Sequence, residues 1–80
     1  MYTRILTYDL KYADSYDYKE LYDYLKKVNA TQLTESSYLI KSSLKYEDFA
    51  NIIKSITKSG DNVKCIVLST KDTLSVWTIR

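Results

Sequence analysis

The sequence predicts an α+β domain in which two helices cover one face of an antiparallel sheet. Three observations lead to this prediction. Two segments repeat apolar residues at helical spacing, several shorter segments are rich in β-branched and aromatic residues, and the two kinds of segment alternate along the chain. A chain of 80 residues is long enough for one small core, so we assign residues 1–80 to a single domain.

The first strand is predicted from Tyr2 to Tyr8, a stretch of mostly β-branched and aromatic residues. It ends at Asp9, just before a polar loop. A carboxylate at the end of a hydrophobic strand is the first candidate functional group in this sequence.

The first helix is predicted from about Asp17 to Val28. Asp17 is a suitable N-cap, and Glu20 stands where it completes a capping box. Asn29 is expected to close the helix. One face of this helix is apolar and carries Tyr18, Leu21, Leu25 and Val28, with Tyr22 beside them.

The middle of the chain predicts a short strand within Ala30–Glu35 and a stronger one at Tyr38–Lys41. Ser36 and Ser37 lie between them and favour a bend. The pattern leaves two arrangements open, a hairpin or one long bent strand.

The second helix is predicted from about Lys45 to Lys58, and Gly60 is well placed for the left-handed conformation just past its end. Acidic residues in its first turn and lysines towards its end match the helix dipole. Its expected buried stripe consists of Phe49, Ile52, Ile53 and Ile56.

Two strands are predicted to end the chain. Val63–Leu68 carries apolar residues on both faces of the strand, which is typical of a central strand. Cys65 within it is expected in the core. A turn near Lys71-Asp72 leads to Thr73–Ile79, where Trp77 is expected to anchor either the core or a dimer.

The order strand, helix, strand pair, helix, strand, strand fits a ferredoxin-like βαββαβ sandwich with an extra C-terminal strand. With both helices on one face of the sheet, the other face stays open. We therefore expect a homodimer that uses the open face or the terminal strand, because a core this small gains from further burial.

Composition excludes several kinds of chemistry. The chain has no histidine, one cysteine and one glycine, so it has no Ser-His or Cys-His pair, no zinc ribbon and no glycine-rich phosphate loop. Carboxylates with a hard cation, hydroxyls and basic side chains are left, as is binding without chemistry. The formal charge of +2 is too small to indicate a nucleic-acid partner by itself.

Location is predicted from what the sequence lacks. A single cysteine favours a reducing compartment, and no apolar run is long enough for a membrane span. The amino terminus also lacks the pattern of a signal peptide. We therefore expect a cytoplasmic protein without a membrane partner.

Four features of the sequence resemble the small CRISPR-associated Cas-two nucleases and their SinR-like and VapD-like relatives. They are a first strand ending in Tyr8–Leu10, a helix carrying Tyr18–Tyr22, the segment Glu35–Lys41, and an acidic-started helix through Phe49. The similarity covers most of the chain and is nearest to the SinR-like branch.

This resemblance implies a ferredoxin-like homodimer in which the last strand packs onto the partner's sheet. It places Asp9 as the ligand of a divalent cation such as Mg²⁺, and Ser36 or Ser37 near the same catalytic site. Mg²⁺ prefers one or two carboxylates together with waters and substrate phosphate. A two-fold axis would supply a second Asp9. The alternative is that Asp9 only caps the following turn.

Four residues are candidates for contact with RNA or DNA: Arg4, Lys11, Tyr12 and Lys41. The three cations would form a phosphate-binding patch beside Asp9 if the strand register allows it; the alternative is a solvated sheet face. Tyr12, Tyr16 and Tyr24 are the tyrosines expected on the surface, where their rings can stack on unpaired bases. Four other tyrosines are expected to pack in the core or the dimer, namely Tyr2, Tyr8, Tyr18 and Tyr22.

Two functions remain open at this point. The first is a nucleic-acid-binding homodimer that cleaves RNA or DNA with Mg²⁺. The second is a non-catalytic module that binds a protein partner in phage–host defence or CRISPR adaptation. A VapD-like toxin component would be a variant of the first.

Overall fold

The computed structural model describes residues 2–12, 18–68 and 74–80. Two helices and five strands occur in these ranges, and all the strand pairs are antiparallel within one sheet of order β2-β3-β1-β4-β5. The predicted α+β class with an antiparallel sheet is thus confirmed. The elements are β1 (Tyr2–Asp9), α1 (Lys19–Lys27), β2 (Thr31–Thr34), β3 (Ser37–Ser42), α2 (Tyr46–Ile56), β4 (Asn62–Leu68) and β5 (Leu74–Thr78).

Strand β1 lies in the middle of the sheet and its two faces differ. Arg4, Leu6 and Tyr8 are buried, whereas the alternate residues are only partly covered or exposed. Because side chains alternate along a strand, the buried set marks the face that carries the helices. Strand β1 also includes Asp9, one residue beyond its predicted end at Tyr8.

Both helices pack on this face. Leu21 and Leu25 of α1 and Phe49 and Ile53 of α2 are buried in one cluster with Leu6 and other residues of the same sheet face. The helical periodicity thus predicted the buried residues well. The outer members of each predicted stripe, such as Ile52 and Ile56, are half-buried.

The ends of the helices differ in part from the prediction. The proposed N-cap Asp17 lies outside the described residues, and Tyr18 stands at the N-cap position without a side-chain capping bond. Asn29 closes α1 in the left-handed conformation, with φ of 55°. Helix α2 ends at Ile56 rather than Lys58, and Gly60 adopts a φ of 96° in the turn that leads into β4.

The middle of the chain is a hairpin, one of the two arrangements that the sequence left open. Strands β2 and β3 pair directly, and Glu35 and Ser36 form the turn between them. The Ser36 N–H donates to the Thr34 Oγ1 at 3.2 Å, which fixes the turn from within.

The C-terminal part joins the sheet to α2. Strand β4 lies between β1 and β5, and Cys65 is fully buried as expected, whereas the turn predicted near residue 71 lies outside the described ranges. Arg80 donates from Nε to the Thr57 Oγ1 at 2.8 Å and from Nη2 to the Lys54 carbonyl at 2.6 Å. The guanidinium thereby satisfies polar groups at the carboxyl end of α2.

The sheet face away from the helices carries an apolar row across four strands. Leu39, Ile5, Ile66 and Val76 are cross-strand neighbours in β3, β1, β4 and β5. Within the described parts of the chain neither helix covers this row, and no helix has the length and hydropathy needed to cross a bilayer.

Candidate functional site

A cleft of about 390 Å³ lies where β1 ends at Asp9, and we call it the Asp9 cleft. Strand β1, the loop after it, helix α1 and the β2–β3 turn all contribute side chains. The residues that line it are Tyr8, Asp9, Leu10, Tyr12, Tyr22, Glu35 and Ser36.

The β2–β3 turn is held beside Asp9 by the backbone. The Tyr8 N–H donates to the Ser36 carbonyl at 3.0 Å, which extends the pairing of β1 with β3 as far as the turn. Both Glu35 and Ser36 are exposed at this point, and so is Asp9. Two carboxylates and a serine therefore face solvent at one end of the sheet.

The loop after β1 is anchored by a buried aspartate that follows Gly60. Asp61 is 3% exposed and accepts three hydrogen bonds, from the Lys11 N–H at 2.8 Å, the Tyr18 hydroxyl at 2.7 Å and the Lys58 N–H at 2.8 Å. The Tyr18 hydroxyl in turn accepts the Tyr12 N–H at 3.2 Å. This network fixes the backbone of Lys11 and Tyr12 at the edge of the Asp9 cleft.

The network also sets the ionisation of Asp61. Burial by itself raises the pKa of this carboxyl, but the hydrogen bonds from Tyr18, Lys11 and Lys58 outweigh burial, so the pKa is lowered. Asp61 is therefore a carboxylate at neutral pH, and its charge is stabilised by three donors.

Tyrosines form the wall of the cleft next to α1. Tyr8 is 7% exposed, and its ring stacks on that of Tyr38 with centroids 6.4 Å apart and planes inclined by 18°. No described residue lies within hydrogen-bond distance and angle of its hydroxyl. Burial, with the nearby phenols of Tyr22 and Tyr38, raises the pKa of Tyr8, so this hydroxyl stays protonated at physiological pH.

Three of the predicted site residues come together in this cleft, namely Asp9, Ser36 and Tyr12. Ser37 does not line it, and its hydroxyl lies 2.7 Å from the Thr34 Oγ1. Between the two predicted serines, the geometry therefore favours Ser36. Lys11 lies in the adjoining loop, with its Nζ 5.7 Å from the centre of the Tyr12 ring.

Arg4 and Lys41 lie elsewhere, so one chain does not assemble the predicted basic patch. Arg4 is on the helix face and 2% exposed. Lys41 pairs with Thr3 and therefore stands on the opposite face, near the start of β1. The alternation of side chains along neighbouring strands separates these two cations.

The surface tyrosines follow the prediction only in part. Tyr12 is 43% exposed, Tyr24 is half-buried, and Tyr16 lies outside the described residues. Tyr22, expected to pack, is 37% exposed and lines the Asp9 cleft.

Sequence reasoning gave no role to two acidic residues. Glu35 adds a second carboxylate to the cleft, and its position beside Ser36 in the hairpin turn is the signal that would have identified it. Asp61 supports the neighbouring loop, and it had no local signal because its partner Tyr18 is 43 residues away.

A divalent cation fits the chemistry of the cleft. Asp9 and Glu35 offer carboxylate oxygens to solvent, and Mg²⁺ is commonly held by one or two carboxylates with water completing its shell. Among the described residues no group of three potential metal ligands occurs, so a dedicated all-protein metal cage is absent from this part of the chain. A substrate-assisted or dimer-assisted site is the kind of metal site that these residues suit.

Comparison with protein-family models, with curated proteins and with solved structures finds no match to this chain. Its function must therefore be inferred from the geometry of the molecule.

Proposed function

We propose that this protein is a homodimer that binds nucleic acid and cleaves RNA or DNA phosphodiesters with Mg²⁺ in the Asp9 cleft. The observation that carries the proposal is that Asp9, Glu35, Ser36 and the exposed ring of Tyr12 share one open cleft. These groups are the ones that a cation, a phosphate and an unpaired base require.

The proposal includes a ferredoxin-like fold and a kinship with the Cas-two-like proteins. In support, β1 lies between β3 and β4, β2 pairs with β3, and each helix connects two strands that are not neighbours in the sheet. Strand β5 is then an addition at the edge beside β4.

Asp9 and Glu35 are the residues that would hold the cation. Mg²⁺, when bound, supplies a water of lowered pKa and neutralises charge on the phosphate. Ser36 donates its hydroxyl to a phosphate oxygen, and Tyr12 presents its ring to a base at about 1–3 kcal/mol per stacked base. Lys11 adds positive charge at the edge of the cleft.

Dimerisation is the second part of the proposal. Among the described strands β5 pairs with β4 alone. Its five residues are all exposed, with Leu74 and Val76 at 65% and 64%. An apolar edge strand of this kind favours pairing with another chain. In such a dimer a two-fold axis would add a second copy of each carboxylate.

Cleavage of labelled single- and double-stranded RNA and DNA, with Mg²⁺ and with a chelator, tests the catalytic part. Asp9→Asn and Glu35→Gln should each lower the rate about a hundredfold or more, since metal-assisted charge stabilisation is worth several kcal/mol. Glu47→Gln is the matched control, because it removes an exposed carboxylate in the first turn of α2. Unchanged cleavage by Asp9→Asn would overturn the assignment of this site.

A second function has its own supporting observation. The apolar row through Ile5, Ile66 and Val76 is a surface that a protein partner can cover without any chemistry. This supports the alternative of a non-catalytic interaction module in phage–host defence or CRISPR adaptation. A stable dimer that neither cleaves nucleic acid nor binds it in a salt-dependent manner would favour this alternative.

A further inference from the structure

A second pocket lies on the helix face, near the start of β1, and the proposed function does not use it. Its volume is about 310 Å³, at the lower end of the range for small-molecule sites. The rings of Tyr46 and Trp77 stand in its wall, with centroids 5.2 Å apart and planes inclined by 39°. The lining residues are Tyr2, Arg4, Lys45, Tyr46, Val67 and Trp77, and we call this the Arg4 pocket.

The charged residues that line this pocket, among those that the structure describes, are Arg4 and Lys45, and both are positive. Arg4 is 2% exposed, and among the described residues its buried Nε and Nη1 have no hydrogen-bond partner. Lys45 is exposed beside it, and no carboxylate occurs among the described lining residues. The Arg4 guanidinium therefore places a buried positive charge in the wall of the pocket.

The surroundings of Arg4 compensate its burial incompletely. Its guanidinium carbon lies 4.8 Å from the centre of the Tyr2 ring and 5.0 Å from that of Phe49. Both contacts are cation–π interactions, which act on ring faces and leave N–H donors unpaired. A buried cation with unpaired donors is costly, and an anion that reaches it removes that cost.

We propose that the Arg4 pocket binds a small aromatic carboxylate. The carboxylate satisfies the guanidinium, for which its geometry is well matched, and the ring packs on Tyr46 and Trp77. A mostly apolar wall suits a monoanion with an apolar body. A free phosphate would leave the aromatic wall unused.

Binding of 2-naphthoate tests the proposal, with the neutral 2-naphthamide and inorganic phosphate as comparison probes. Trp77 is the single tryptophan, so its indole N–H gives one resolved signal in a proton–nitrogen NMR spectrum. We expect 2-naphthoate to shift this signal in a saturable manner. The amide should bind at least about tenfold more weakly, and phosphate should neither shift the signal nor compete.

Arg4→Met removes the charge and keeps an unbranched apolar chain, so it should lower the affinity for 2-naphthoate at least about tenfold. Lys41→Met is the matched control, because Lys41 is an exposed cation on the other sheet face. This variant should bind 2-naphthoate with the affinity of the wild type. Should Arg4→Met fail to fold, the comparison of acid with amide in the wild-type protein still decides the question.

Three results would overturn the proposal. Equal binding of 2-naphthamide would show that the charge plays no part. Displacement of 2-naphthoate by inorganic phosphate would identify a general anion site. No saturable shift of the Trp77 signal at millimolar 2-naphthoate would show that the pocket does not take this class of ligand.

Discussion

Replacing Tyr18 with phenylalanine removes the hydroxyl that links Asp61 to the loop beside the Asp9 cleft, and with it the hydrogen bonds to Asp61 and from the Tyr12 N–H. The Tyr18 hydroxyl donates to the Asp61 Oδ1 at 2.7 Å, and the two residues are 1% and 3% exposed. Phenylalanine keeps the ring that packs in the core and removes only the hydroxyl. The substitution therefore tests the polar network with little change in apolar packing.

The expected cost follows from the partners that remain. A hydrogen bond to a charged group contributes about 1.5–3 kcal/mol. Asp61 keeps the two N–H donors of Lys11 and Lys58, so the carboxylate is not left unpaired. We expect the free energy of unfolding to fall by about 2 kcal/mol. For a domain of this size that lowers Tm by about 8–16 °C.

The loss of unfolding free energy in Tyr18→Phe should depend on pH in a defined direction. The pKa of Asp61 is lowered in the folded protein, whereas an aspartate in the unfolded chain titrates near about 3.9. The stabilisation is then present above the unfolded pKa and is lost as the pH falls through the folded pKa. The difference between wild type and Tyr18→Phe should be largest at neutral pH and should shrink below about pH 4.

Urea unfolding followed by circular dichroism at neutral and acidic pH measures this difference. Tyr24→Phe is the matched control, because Tyr24 is a half-buried tyrosine of the same helix that does not hydrogen-bond to Asp61. Equal stability of Tyr18→Phe and wild type at neutral pH would refute the reasoning. So would a deficit that stays the same down to acidic pH.

Three further substitutions probe the core, a turn and the carboxyl terminus. Ile53→Ala empties a fully buried position in α2 and should cost about 2–5 kcal/mol in urea unfolding. Gly60→Ala places a Cβ on a residue with φ of 96° and should cost about 1–2 kcal/mol, whereas an unchanged urea midpoint would contradict the role given to this turn. Arg80→Ala removes the bonds to Thr57 and Lys54 and should lower Tm through a loss of about 1 kcal/mol, measured by calorimetry.

The fold was largely predictable because the apolar periodicities are strong. Phe49 and Ile53 recur at helical spacing, and both are fully buried in α2. Helix ends were less predictable. Helix α2 ends at Ile56, and the next residue, Thr57, accepts a hydrogen bond from Arg80 at the far end of the chain. Such a contact leaves no mark in the local pattern.

The two candidate sites were predictable to different degrees. Asp9 was recognised because it ends a hydrophobic strand, and Ser36 only through the family resemblance. The strand pairing of β1 with β3 brings the two into one cleft. Arg4 was assigned to a surface patch on the basis of its charge. Arg4 and Leu6 are two residues apart in β1 and therefore lie on the same face of the sheet, which is the buried one. This alternation predicted the position of Arg4 better than its charge did.

The Asp9 cleft and the Arg4 pocket occupy the two ends of one strand, and this separation makes them independently testable. Asp9 and Arg4 are five residues apart in β1, or about 16 Å at the usual rise of a strand. The Tyr18–Asp61 network supports only the end that carries Asp9. Tyr18→Phe should therefore disturb the proposed nucleic-acid cleavage and leave the proposed 2-naphthoate shift of Trp77 unchanged. A variant that loses both functions together while it remains folded would mean that the two ends of β1 are coupled through the core.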